Sequence, residues 1–108
     1  MNRETIATLH EVKQAMLQQQ TLALREISAR LDGLRSRRDT LTDDMARPDA
    51  ADTVSGAMMA SRYRSYQQHA LETLAGKIDT ITREYRDAEE GLTETFSEVR
   101  AIERLMRR

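Results

Sequence analysis

Apolar residues recur every three or four positions over most of this chain, and that spacing predicts helices. From Leu24 the steps run Leu24, Ile27, Leu31, Leu34, Arg38, Leu41 and Met45, a stripe on one helical face with a period near 3.5. Upstream, Ile6, Leu9, Val12 and Met16 give a similar stripe in another phase. Joining the two through Gln20 adds four residues twice, a stutter that unwinds a supercoil locally and puts Gln20 at a core position. One helix is predicted from about residue 3 to about 46.

The segment DDMARPDAADTVSG, residues 43–56, breaks the pattern. Pro48 cannot continue a helix and pushes Arg47 out of helical geometry. Asp49, Thr53 and Ser55 can each cap the next helix. A turn is expected over about 47–54. The second helix, about 55–107, carries the cleaner stripe: Leu71, Leu74, Ile78, Ile81, Tyr85, Ala88, Leu92, Thr95, Val99, Ile102 and Met106, with Thr95 its one polar member. Gly76 and Gly91 lie off that stripe. They weaken the helix without opening its seam. No segment alternates as a strand does.

Two long helices joined by a short turn become antiparallel neighbours. The fold class is therefore all-α, one antiparallel two-helix coiled-coil hairpin over residues 1–108. With the turn centred near residue 50, facing residues have numbers adding to about 100, so Leu31 meets the neighbourhood of Leu71 and Ile27 that of Leu74. Helix two beyond about residue 97 is then left without an intramolecular partner. At about 1.5 Å per residue this overhang is roughly 15 Å long, and it carries Val99, Ile102, Leu105 and Met106.

Composition agrees with a thin structure. Of 108 residues, 39% are hydrophobic and 32% charged but only 4% aromatic, too few large rings for a compact core. A two-helix hairpin buries little, so oligomerisation or docking into a partner is expected, and both a homodimer and a swapped dimer opened at Pro48 stand as alternatives. The formal net charge is −1, with residues 1–48 at +1, 49–90 at −3 and 91–108 at +1. No concentrated positive field exists beyond the short tail, which disfavours nucleic acid as a partner. The absence of cysteine rules out disulfide and thiolate chemistry. No apolar h-region follows the first residues, and the longest apolar run, around residues 57–60, is too short to cross a bilayer. A cytoplasmic protein is expected.

Nothing in the sequence points to catalysis. His10 and His69 are the two histidines, and neither stands three residues after a glutamate as a di-iron bundle requires. Glu89 and Glu90 read as solvated surface. No catalytic, cofactor or metal site is expected. Arg100, Arg104, Arg107 and Arg108 follow one face beside the apolar residues of the tip. They either complement the dipole of the helix end or, with Val99, Ile102, Leu105 and Met106, meet an acidic protein partner. Met58, Met59, Tyr63 and Tyr66 cluster just after the turn. Core packing at the hairpin end is the first expectation for them. The alternative is a second contact patch formed by Met59, Tyr63 and Tyr66, residue types suited to adaptable recognition. Arg38, on the stripe, is expected to snorkel.

The hairpin, the closing stretch FSEVRAIERLMRR at residues 96–108, and the aromatic and basic run Arg62-Tyr63-Arg64-Ser65-Tyr66 together resemble the FliJ-like coiled-coil proteins of flagellar export and type III secretion. The resemblance implies a stalk inserted into a hexameric export ATPase, linking it to the export gate or to chaperones. Its place would be the cytoplasm, or the inner face of the membrane through partners, with the paired termini as the tip in the ATPase pore. A self-assembling structural coiled coil with no ATPase partner is the alternative. A membrane-surface helix is disfavoured, because the polar faces mix both charge signs.

Overall fold

The computed structural model describes residues 2–47 and 53–108. Two helices account for nearly all of them: α1 over Arg3–Met45 and α2 over Val54–Met106. No strand occurs among the described residues. The protein is an all-α helical hairpin, and its helix ends fall within a residue of the boundaries the spacing predicts. Asn2 caps α1, its Oδ1 accepting from the Thr5 amide at 2.8 Å. Thr53 is the cap of α2, its Oγ1 accepting from the Gly56 amide at 2.9 Å. Ser55, also a candidate cap, lies inside the helix. Pro48 and Asp49 fall outside the described residues. Six threonines within the helices, among them Thr21 and Thr82, donate their hydroxyls to the carbonyl four residues back, which satisfies a side chain that otherwise competes with the helix.

The chain forms two compact units. In the unit of residues 1–29 and 83–108, α1 and α2 run antiparallel. Lys13 Nζ pairs with Glu98 Oε2, and the side-chain amide of Gln20 lies against Gly91. In the unit of residues 30–82, one groove is lined both by residues 30–37 of α1 and by residues 73–81 of α2. In each unit the numbers of facing residues add to about 111, not to about 100.

That difference corrects the expected overhang. Val99 is 3% exposed and Ile102 6%, among the most buried side chains described. They are covered by the first turns of α1, so no uncovered tip begins at residue 97. Leu31 meets the neighbourhood of Ile81 and not of Leu71, and Ile27 that of Tyr85 and not of Leu74. The physical reason lies in the two apolar stripes. Before Gln67 the stripe positions of α2 hold Ala57, Ala60 and Arg64, too small or too polar to fill a seam. The stripe of α2 therefore starts at Gln67 and runs to Met106, the same length as the stripe of α1 from Ile6 to Met45. Aligning stripe with stripe covers every buried layer, whereas centring on the turn strands about a quarter of each.

The expected stutter is also corrected. Residues 6, 10, 13, 17, 20 and 24 are buried or half-buried in one unbroken series of three- and four-residue steps that continues the stripe from Leu24. Val12 and Met16, expected inside, face outward at 51% and 38% exposure. His10, Lys13 and Leu17 take the seam. The stem of Lys13 lies along the seam while its ammonium reaches Glu98 at the edge. Arg38 behaves alike: it is half-buried, and its guanidinium turns to Asp39 at 3.4 Å. Gln20 holds its core position, and its Oε1 is buried without a hydrogen-bond partner. Gly91 is half-buried beside it, nearer the seam than its off-stripe position suggests. Gln20→Leu is expected to raise stability by about 1–2 kcal/mol, since an unpaired buried acceptor is removed and apolar area is gained. A higher urea midpoint at unchanged slope checks it.

Candidate partner-binding surfaces

Met45 ends α1 opposite the region of Gln67, so the first dozen or so residues of α2 extend beyond the end of α1, about 18 Å at the helical rise. The uncovered segment is at this end of the hairpin and not at the chain termini. Val54, Met58, Met59, Tyr63 and Tyr66 are all exposed there, Met59 at 68% and Tyr66 at 70%. Core packing at the hairpin end is thereby overturned for these residues. Met59, Tyr63 and Tyr66 follow steps of four and three and share one face of α2.

That face continues along the unit of residues 30–82. The steps 59, 63, 66, 70, 73, 77 and 80 lead from the aromatic patch into a groove of about 840 Å³ between the helices. Leu34, Ile81 and the two glycines Gly33 and Gly76 are part of its lining. A Cβ on either glycine meets nothing within 4 Å. Arg30, Arg37 and Lys77 supply its charge, and no carboxylate lines it. The sequence alone does not reveal this groove. The glycines stand out along the chain, but only the register puts them side by side.

The C-terminal residues divide. Val99 and Ile102 are core. Leu105 and Met106 are 42% and 49% exposed, and Arg100, Arg104, Arg107 and Arg108 are exposed. The Arg100 guanidinium lies 5.0 Å from the centre of the Phe96 ring, a cation–π contact one helical turn apart. Arg100, Arg104 and Arg107 surround a shallow depression of about 380 Å³ that also contains Glu103. The arginine face thus survives as a surface, without Val99 and Ile102 to accompany it.

His10 is half-buried, with its Nε2 3.4 Å from the Gln14 amide nitrogen. His69 is exposed. No cluster of three or more His, Cys, Asp or Glu side chains forms among the described residues. Glu89 and Glu90 lie on the surface with Glu94 and Arg86. No described helix is long and apolar enough to cross a membrane. Comparison of the chain with protein families, with characterised proteins and with solved structures gives no match.

Proposed function

We propose that this chain is a non-enzymatic coiled-coil protein that works by binding other proteins. The observation that carries the reading is the end of the hairpin, where Met59, Tyr63 and Tyr66 stand exposed on a helix that has run past its partner. Single exposed apolar residues are ordinary; several large ones on one helical face mark a contact site.

The particular role we propose is that of a stalk for a hexameric ATPase of flagellar or type III protein export, linking it to the export gate or chaperones. This rests on the resemblance to FliJ-like proteins in the hairpin and in the basic closing helix. Arg104, Arg107 and Arg108 would meet acidic loops of the ATPase pore, beside Leu105 and Met106. The test is ATP hydrolysis by the export ATPase with and without this protein. Stimulation by the wild type, lost in the Arg104→Glu, Arg107→Glu, Arg108→Glu chain at unchanged helicity, supports the role. Undiminished stimulation by that variant, or none by the wild type, overturns it. A self-assembling structural adaptor with no ATPase partner is the second reading, favoured by the basic groove.

A further inference from the structure

The basic groove needs an occupant with an acidic helical face, and the chain carries one. Asp87, Glu90 and Glu94 are exposed on α2, at steps of three and four that place them on a single face. We propose that the groove of residues 30–82 receives the acidic face of α2 from a second copy of this chain, forming an antiparallel helical dimer.

Two observations and one match of register converge on that occupant. The first is charge: Arg37 and Lys77 make no ion pair with another described residue, and the groove contains no carboxylate of its own. The facing surface also carries Arg86, four residues before Glu90, and Arg83, four before Asp87, and its acidic residues outnumber them. The second is shape, because Gly33 and Gly76 line the groove with open space before them and let an incoming helix lie close, as small residues do wherever helices approach tightly.

The third is that one register satisfies both ends of the contact. With Lys77 opposite Glu90 of the second copy, stepping back along α2 to Tyr66 and Tyr63 corresponds to stepping forward along the other α2 to Ala101 and Arg104. Leu105, half-exposed, follows at once. The aromatic patch thus meets an apolar and cationic segment, where ring faces and guanidinium attract. Isologous pairing, in which each copy gives its groove and its acidic face, closes the assembly at two and prevents open growth. A foreign acidic helix would satisfy the charge but supplies no reason for the second match.

The dimer does not depend on the ATPase reading, and the experiment separates them because it contains no ATPase. Sedimentation velocity of the full chain is expected to give twice the monomer mass, with dissociation favoured at high salt. A chain with Arg37→Glu and Lys77→Glu, and a second with Asp87→Lys, Glu90→Lys and Glu94→Lys, are each expected to sediment as monomers with wild-type helicity. Mixing the two is expected to restore a dimer. Gly76→Leu fills the groove without altering charge and is expected to weaken the dimer as well. A monomeric wild type, or a dimer indifferent to both charge reversals and to Gly76→Leu, overturns the proposal.

Discussion

Replacing Val99 and Ile102 together by alanine is expected to cost about 4 kcal/mol or more, enough to melt the helix pair of residues 1–29 and 83–108 at ambient temperature. Both side chains are almost wholly buried. Truncating an isoleucine in a core costs about 2–5 kcal/mol, and a valine somewhat less. A thin helical scaffold rarely holds more than about 3–5 kcal/mol in total, so the double change consumes most of what that unit has. Circular dichroism against temperature checks the loss, and hydrogen exchange locates it. The prediction also separates two registers. A hairpin centred on residue 50 leaves both residues in water, where truncation costs almost nothing. An unchanged melting curve would therefore restore the C-terminal overhang and remove the one at the start of α2.

Leu31→Ala is expected to destabilise the unit of residues 30–82 by about 2–4 kcal/mol. Leu31 is 5% exposed and Ile81 8%, and the register sets them in one layer of the seam. Two helices give such a layer few neighbours, so a cavity there cannot be refilled from a third side. Ile81→Ala should cost a similar amount, and the two losses should fall short of additivity, because the second truncation removes contacts already lost to the first. Urea melts of the single and double variants measure the coupling. Additivity within about 0.3 kcal/mol would show that the two side chains do not touch.

Both predictions use a register that the chain discloses only in part. The stripe from Leu71 to Met106 is legible because Leu, Ile and Val at steps of three and four leave one reading of the buried face. Every one of its positions is buried or half-buried except the terminal Met106. The stripe from Leu24 to Met45 is legible for the same reason, and Thr53 marks the start of α2 by its capping hydroxyl. Upstream of Leu24 the pattern misleads. Val12 and Met16 are apolar and exposed, while His10 and Lys13 are polar and turned inward. In a two-helix seam a lysine can bury its stem and keep its charge in water, and an outward methionine costs little, so residue type alone does not say which face is in.

The surfaces divide in the same way. The arginines of the last two turns and the cluster Met59, Tyr63 and Tyr66 are legible along the chain, because each is a local run of one chemistry. Their surroundings are not. Adjacency groups Val99 and Ile102 with the arginines, and the register takes them into the core. Gly33 and Gly76 are ordinary weak points in their own helices until the helices meet.

Sequence by itself determined that the protein is all helical, where each helix starts and stops, and which face of α2 is buried. Those properties depend on residues within a few turns of one another, through hydrogen bonding, capping and the 3.6-residue repeat. Only the tertiary structure decided which residues face each other, which end of the hairpin is uncovered, and that a basic groove exists. The sliding of one stripe along another is a contest between alignments that share the same local pattern. It is settled by the total apolar area each alignment removes from water, a quantity that belongs to the pair of helices and to neither alone.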